Sequence, residues 1–234
     1  MAHEKYNKEY FDGKQRRGVL TLSNEAFLDY VFRELSARGI TARTAIDVGC
    51  AYGSLAQALY DRGISHVSGV DVSAYAIEEG KKRYPHIHLF AEDIDNRNMP
   101  QELASSCDLI VSLHTFEHCV HPEDALRRTV HMLKDGGLLC IIMPNPRIWV
   151  GRILKIFGKE KKIPVFGDET HVSLYTREQW EELLDRVGCV VERSLGRPFY
   201  TLKFPWLYRL LGSHVYTRFL RDSGFEMLFV CRKK

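Results

Sequence analysis

The sequence predicts an α/β fold with a doubly wound, mostly parallel sheet. Short apolar runs alternate with segments of helical periodicity, which is the pattern of strand–helix–strand units. The chain has 234 residues, 45% of them hydrophobic, which suits one domain with a large core. A glycine-bearing turn at 49–53 follows the first apolar run, and an acidic residue ends each of the first three runs.

The N-terminal lead-in, residues 1–43, is polar and aromatic before it becomes helical. Phe27, Val31 and Leu35 recur at helical spacing; we expect this helix to start at 23–25 and to end at Gly39. Tyr6 and Tyr10 precede it, and they either fold over a ligand or lie at the surface.

Seven strands are predicted, at 45–48, 66–70, 87–91, 108–113, 138–143, 189–195 and 226–231. Helices between them are expected to begin at Ser54, Ser73, Pro122 and Thr176, because these residue types favour helix starts. The segment 135–137 is predicted to be a turn before the fifth strand. We expect a single domain, 1–234, with helical insertions at 147–170 and 197–223 that form a cap.

Positive charge is concentrated in these two insertions. Residues 147–162 have a net charge of +5 and residues 198–221 have a net charge of +4. Because the whole chain has a net charge of +3, the remaining residues have a net charge of −6. Both insertions mix apolar and basic residues at roughly helical spacing. The alternatives are a cap that packs on itself, an acceptor pocket for an apolar or anionic substrate, or a basic patch that contacts a membrane surface.

Composition restricts the cellular setting. The six cysteines are scattered without a C-x-x-C pair, so we expect buried, reduced thiols and no metal site. No apolar run reaches the length of about 18 residues that a membrane span needs. The N-terminus has no apolar signal-peptide core. We therefore expect a cytoplasmic protein, with peripheral membrane contact through the insertions as the alternative.

Polar residues collect where the predicted strands end. Asp47, Asp71 and Asp93 end the first three strands, and the segment 114–118 follows the fourth. In an open α/β sheet, ligands bind at this edge. A dinucleotide motif G-x-G-x-x-G would require glycine at positions 51 and 54, but these are Ala51 and Ser54. A different nucleotide-like ligand is therefore indicated.

Read as D-x-G-x-G-x-G, the stretch 47–53 supplies Asp47, Gly49 and Gly53 and lacks only the middle glycine. With Asp71, Asp93, Phe116-Glu117-His118 and Lys134-Asp135-Gly136-Gly137 in this order, the sequence resembles the class I S-adenosylmethionine-dependent methyltransferases of small-molecule type. The resemblance covers about 44–195 and the last strand. It implies a Rossmann-like, seven-stranded sheet of order 3-2-1-4-5-7-6 with an antiparallel last strand.

The resemblance also implies how S-adenosylmethionine is bound. Asp47 would lie near the methionine end, Asp71 would accept the ribose hydroxyls, and Asp93 would receive the adenine amino group. The remaining residues implied to bind the cofactor are Gly49, Cys50, Ala51, Tyr52, Gly53, Val72, Ile94, Leu113 and His114. Ala51 departs from the family glycine, so it needs either a φ below zero or some strain.

Candidate catalytic residues follow the fourth strand or precede the sixth. A hydroxyl acceptor needs a general base, and histidine titrates near neutral pH. His114 is expected nearest the methyl group, and His118 serves either as a base or as a support for local backbone. His171 and Tyr175 lie in a segment that resembles one returning over the active site.

We therefore expect an S-adenosylmethionine-dependent methyltransferase acting on a small-molecule, sugar or lipid-linked acceptor, with a hydroxyl oxygen as the first choice of atom. The alternatives are an RNA methyltransferase and a non-catalytic protein that binds the cofactor. Nucleic acid is not the expected partner, because no RNA-binding module is recognisable. Asn145-Pro146 follows the fifth strand, not the fourth, so it is not a DNA amino-methyltransferase motif.

Overall fold

The computed structural model describes residues 6–13, 21–95, 99–148, 168–197, 214 and 216–234. Seven strands form one sheet in the order β3-β2-β1-β4-β5-β7-β6. The strands are β1 Thr44–Val48, β2 His66–Asp71, β3 His88–Ala91, β4 Cys107–Leu113, β5 Leu133–Pro144, β6 Cys189–Arg197 and β7 Glu226–Lys233. All pairs are parallel except those of β7, which is antiparallel to β5 and to β6. The predicted fold class, strand order and direction are confirmed.

Six α-helices are described: α1 Lys8–Gly13, α2 Leu22–Ala37, α3 Ser54–Asp61, α4 Ala74–Arg83, α5 Pro122–Met132 and α6 Arg177–Arg186. Two short 3-10 helices, Gln101–Leu103 and Phe116–His118, flank β4. The starts of the α-helices follow the expected capping chemistry. The side chain of Ser73 accepts a hydrogen bond from the amide of Ala76, and Thr176 forms a capping box with Gln179. The predicted start of α2 at 23–25 is too late, because Thr21 caps this helix by accepting a hydrogen bond from the amide of Asn24.

The predicted turn at 135–137 is wrong in one respect. The strand β5 already begins at Leu133, so these residues run within it, with exposed positions at 134–136. Its pairing with β4 shifts register between Cys107 and Leu109. This irregularity accommodates the positive φ of Gly136, +75°, within the strand.

The core consists of two apolar layers, one on each face of the sheet. The helix α2 fills one layer with Phe27, Leu28 and Val31, each with no exposed surface. The other layer receives Phe116 and, from α6, Trp180. All six cysteines are buried and free, as expected. Burying such side chains contributes about 1.5–3 kcal/mol each, and it holds the strand ends in place.

Most of the two predicted insertions, at 149–167, 198–213 and 215, lies outside the described residues, and so does the predicted cap. Among the described residues, no helix is long and apolar enough to cross a membrane.

The direction of β7 decides what reaches the functional edge. Because β7 is antiparallel, its first residue, Glu226, pairs with Pro144 at the carboxyl end of β5. It also pairs with Arg197 at the end of β6. A charged pair from the last third of the chain is thereby placed beside the residues that follow β4.

Candidate active site

The turn after β1 needs two unusual backbone conformations. Gly49 has a φ of +78°, and a Cβ atom there would lie 2.0 Å from Oγ1 of Thr115. Glycine is therefore required for both conformation and space. Ala51 also has a positive φ, +48°. Of the two alternatives for this alanine, the structure shows the strained one.

Asp71 is held by the backbone of the neighbouring turns. Its Oδ2 atom accepts a hydrogen bond from the amide of Ala51 at 2.8 Å, and Oδ1 accepts one from the amide of Ser73 at 2.8 Å. Burial raises the pKa of Asp71, and these two amides oppose the rise. Each oxygen keeps a lone pair for a further donor, so the carboxylate is oriented and able to receive two hydroxyl groups.

Asp47 lies beneath the same turn with 2% of its surface exposed. Its Oδ2 atom has no hydrogen-bond partner among the described residues. Burial, together with the charge of Asp71, raises the pKa of Asp47 to about 8, although the amide of Ala56 opposes the rise. Ionising a buried carboxyl group costs free energy, and a nearby cation or hydrogen-bond donor would reduce that cost.

A cleft runs along the carboxyl ends of β1, β2, β3 and β4. Eight residues proposed from the sequence line it: Gly49, Ala51, Asp71, Val72, Asp93, Ile94, His114 and His118. Sequence reasoning did not single out Glu92, Asp95, Thr115 and Cys119, which also line it, and Tyr6 and Tyr10 close it from the N-terminal segment. Asp95 supports the wall by accepting hydrogen bonds at 2.7 Å from the amides of Val120 and His121.

His114 lies between two carboxylates. Its Nδ1 atom is 3.1 Å from Oε1 of Glu117, and its Nε2 atom is 3.1 Å from Oε1 of Glu226. The side chain of His114 is 42% exposed, and although partial desolvation disfavours the charged ring, Glu226 and Glu117 raise the pKa of His114 to about 10. The ring is therefore an imidazolium at neutral pH, with both N–H groups donated and no lone pair to take a proton.

Glu226 is the residue whose role the sequence did not reveal. It is 4% exposed and also bonds to the guanidinium of Arg197, which in turn donates to the hydroxyl of Ser23 at 2.6 Å. Despite burial, Arg197 and His114 hold the pKa of Glu226 below its ordinary value. A lone acid at the head of the apolar run 226–231 was the available signal.

His118 has a different environment. Its Nδ1 atom lies 3.1 Å from the backbone oxygen of Thr170 and 2.9 Å from Oγ1 of the same residue. The Thr170 hydroxyl donates to Oδ1 of Asp168 at 2.6 Å, so both Thr170 oxygens accept from the ring. Nδ1 must carry the proton, and burial lowers the pKa of His118. The ring is neutral, with the Nε2 lone pair available.

The segment 170–175 is fastened over this histidine. The amides of Val172 and Ser173 both donate to the backbone oxygen of Glu117 at 2.9 Å. The ring of His171 consequently lies 4.9 Å from that of His118, centroid to centroid. Ligand atoms of Glu117, His118 and His171 lie within 4.8 Å of one another, and Oε2 of Glu117 has no partner among the described residues. These three side chains could hold a divalent cation.

Several proposed residues do not line the cleft. Cys50 and Tyr52 belong to the glycine turn, but both are buried, and Tyr52 packs against Tyr75 and Arg83. Tyr175 packs on Trp180 with ring centroids 5.1 Å apart. Gly53 and Leu113 contribute through backbone geometry and packing. Asp47 is buried beneath the turn and His171 packs on the ring of His118, and neither lines the cleft. The structure thus places His114 and His118 in the cleft, sets His171 against His118, and leaves Tyr175 apart.

The described residues fit S-adenosylmethionine. The oriented carboxylate of Asp71 suits the two ribose hydroxyls, and Gly49 lines the same cleft. The buried Asp47 has an oxygen without a partner, which suits the cationic methionine end. When bound, this group supplies an activated methyl on its sulfonium.

Comparison with known proteins agrees with this geometry. The family model of the methyltransferase domain matches residues 21–194. The mitochondrial ubiquinone biosynthesis O-methyltransferase of Schizosaccharomyces pombe is 27% identical over 212 residues, which cover 87% of this chain and 75% of that protein. The ubiquinone biosynthesis O-methyltransferase of Alkalilimnicola ehrlichii is 29% identical over 154 residues, 63% of this chain and 59% of its own length.

Two solved structures show the same fold. Magnesium protoporphyrin IX methyltransferase from Synechocystis, crystallised with SAH, superposes with a TM-score of 0.67 at 13% identity, covering 100% of this chain and 98% of its own. A SAM-dependent methyltransferase from Thermotoga maritima gives 0.64 at 19% identity, covering 97% of each chain. The family match and this shared fold lead to one conclusion: the chain belongs to the methyltransferase domain family and is an S-adenosylmethionine-dependent enzyme.

Proposed function

We propose that this enzyme methylates a hydroxyl oxygen of a small molecule, with His118 as the general base. The observation that carries the proposal is the tautomer of His118. Thr170 accepts from Nδ1, which leaves the Nε2 lone pair on a neutral ring that lines the cleft. A base near neutral pKa within hydrogen-bonding reach of the acceptor contributes typically 10²–10⁴-fold in rate.

The chemical step balances with the groups at hand. Nε2 of His118 would take the hydroxyl proton of the acceptor as the acceptor oxygen attacks. The bound cofactor would supply the methyl group, and its sulfur would keep the electron pair of the carbon–sulfur bond. His114 takes no part as a base, because Glu117 and Glu226 occupy both of its nitrogens. Its charge and the surrounding carboxylates instead shape the field of the cleft.

Within this proposal the cleft divides into two regions. Asp71, Val72, Asp93 and Ile94 receive the ribose and adenine of the cofactor, and Asp47, buried beneath the glycine turn, is assigned to its methionine side. The acceptor enters on the side of His118 and His171. The likeness to O-methyltransferases of ubiquinone biosynthesis supports an oxygen acceptor on a compound with an apolar part.

We further propose that the whole chain, 1–234, is one methyltransferase domain whose insertions at 147–170 and 197–223 help to recognise the acceptor. Their excess of positive charge supports this, and it also supports contact with an anionic membrane surface when the acceptor is lipid-linked. A flotation assay with vesicles containing anionic lipid tests the membrane contact. Neutralising Arg152, Lys155 and Lys159 should reduce binding, and unchanged flotation would contradict it.

Two measurements test the enzymatic proposal. Calorimetry should show that S-adenosylhomocysteine binds and that Asp71→Ala weakens its affinity at least tenfold. Transfer of labelled methyl should reach a phenolic or sugar hydroxyl among a panel of acceptors, and RNA should remain unlabelled. Cofactor binding without transfer to any acceptor would favour a non-catalytic binding protein. Turnover lost on dialysis against EDTA and restored by a divalent cation would assign the His118 lone pair to a metal.

A further inference from the structure

We infer that Asp95 is a positioning residue that couples the adenine side of the cleft to the segment after β4; this inference rests on the proposed placement of adenine beside Asp93 and Ile94. Asp95 is 8% exposed and lines the cleft two residues after Asp93. Its backbone therefore belongs to the proposed adenine wall. Its side chain bonds to a segment that begins 25 residues later, so one residue joins two distant parts of the chain.

Both carboxylate oxygens of Asp95 bind that later segment. Oδ2 accepts a hydrogen bond from the amide of Val120 and Oδ1 accepts one from the amide of His121, both at 2.7 Å. His121 is the N-terminal capping residue of α5, so the carboxylate also lies near the positive end of this helix dipole. Hydrogen bonds to an ionised acceptor are stronger than neutral ones. The carboxylate therefore holds the start of α5 against the adenine wall.

A second set of contacts fixes the backbone of the loop 93–95. Nη1 of Arg128, on α5, donates to the backbone oxygens of Ile94 at 2.9 Å and of Asp95 at 3.1 Å. The amide of Asp95 donates to Oδ1 of Asp93 at 2.9 Å. The loop and α5 are thus joined by one side chain from each, Asp95 from the loop and Arg128 from the helix. Movement of the loop therefore requires movement of the start of α5.

The segment 117–121 is fastened on its other side to the chain that precedes α6. The hydroxyl of Ser173 donates to the backbone oxygen of Cys119 at 2.8 Å, and the amide of Ser173 donates to that of Glu117 at 2.9 Å. Cys119 itself lines the cleft. Hydrogen bonds therefore connect the adenine wall, through Asp95, to the side of the cleft proposed for the acceptor. A ligand that orders the loop 93–95 should order that side as well, so cofactor binding prepares the acceptor site.

Amide hydrogen exchange tests this coupling at the two amides that Asp95 holds. Val120 is 66% exposed, and neither it nor His121 lines the cleft, so a ligand in the cleft affects their amides only through neighbouring residues. In the wild type, S-adenosylhomocysteine and adenosine, which lacks the amino-acid end, should each slow exchange at both amides about tenfold. Asp95→Asn replaces one accepting oxygen with a donor NH2 group. In this variant the ligand-induced slowing should fall below about twofold.

Two further amides and a control variant make the result specific. The amides of Ala51 and Ser73, which donate to Asp71, report whether the ligand is bound, and their protection should persist in Asp95→Asn. Asp124, an exposed acid in the first turn of α5, supplies the matched control. Asp124→Asn removes a negative charge near the same helix start, and it should transmit protection as the wild type does.

A second variant covers a failure of Asp95→Asn to fold. Arg128→Gln removes the guanidinium that binds the same loop, and it should reduce the ligand-induced protection of Val120 and His121 in the same way. Protection that persists unchanged at these two amides in the variants would overturn the inference. So would a wild type in which bound ligand leaves both amides unaffected.

The outcomes also separate this inference from the proposed function. Failure of both ligands to bind would overturn the placement of adenine, and the inference with it. Ligand that protects Ala51 and Ser73 but not Val120 and His121 would overturn the coupling alone. No turnover is measured, so neither result depends on which group serves as the base.

Discussion

The Nδ1 atom of His118 lies 3.1 Å from the backbone oxygen of Thr170, an atom that can only accept a hydrogen bond. This relationship determines where the imidazole carries its proton. The neighbouring His114, four residues earlier, has both nitrogens bonded to carboxylates. Two histidines in one cleft are thus held in opposite states, one neutral with a lone pair and one charged without one. Environments that separate two titrating groups in this way are typical of active sites.

His114 should remain an imidazolium well above neutral pH. Because its pKa in the folded protein is raised to about 10, its contribution to stability is complete below pH 6.5 and is lost as the pH rises through about 10. Nitrogen-15 NMR should show two protonated ring nitrogens at pH 9. Detection of a neutral ring for His114 at pH 8 would contradict this description.

Glu226→Gln should destabilise the protein by about 3 kcal/mol, because it leaves Arg197 buried with a weakened partner. The matched control is Glu123→Gln, whose pairs with Arg127 and Arg186 are exposed to solvent. That control should change the free energy of unfolding by less than about 1 kcal/mol. Urea denaturation measures both changes. Equal changes would show that the buried network stabilises the fold no more than the exposed ion pairs do.

Cofactor affinity should depend on pH through Asp47. Its pKa of about 8 means that the carboxyl group is mostly protonated at pH 6, whereas a cationic ligand favours the ionised form. Affinity for S-adenosylmethionine should therefore rise between pH 6 and 8, by at most about tenfold per pH unit. Calorimetry at several pH values measures this. In Asp47→Asn the affinity should be lower at pH 8, and a slope as steep as that of the wild type would refute the assignment.

Ala51→Gly should stabilise the fold. The alanine has a φ of +48°, a conformation that costs an L-residue about 1–2 kcal/mol and costs glycine little. We expect a net gain of about 1 kcal/mol in the free energy of unfolding, since glycine also loses more entropy on folding. Ala58→Gly, within α3, is the control and should lose about 1 kcal/mol. A loss at both positions would mean that the turn is not strained.

The strands and the cofactor edge could be predicted from the sequence because their signals are local. Apolar runs of strand length predict the buried strands, which contain Ile46 and Ile110. The acidic residue that ends such a run lies at the edge of the sheet where ligands bind. Asp71 and Asp93 follow from this rule without any knowledge of distant contacts.

The charge network could not be predicted in the same way. His114 and Glu226 are separated by 112 residues in sequence, and only the antiparallel direction of β7 brings them together. The sequence predicts His114 nearest the methyl group, as a candidate base. Its state depends on a long-range pairing, which no local pattern encodes. The tautomer of His118 depends in the same way on Thr170, 52 residues later.

The pH dependence of kcat, compared between the wild type and His118→Gln, tests the central claim most directly. Since burial lowers the pKa of His118, the wild-type rate with a hydroxyl acceptor should fall only below about pH 6.5. His118→Gln should be slower by about 10²–10⁴-fold and should lose this acidic limb, while S-adenosylhomocysteine still binds. A variant that keeps the wild-type rate and the same acidic limb would show that His118 is not the base.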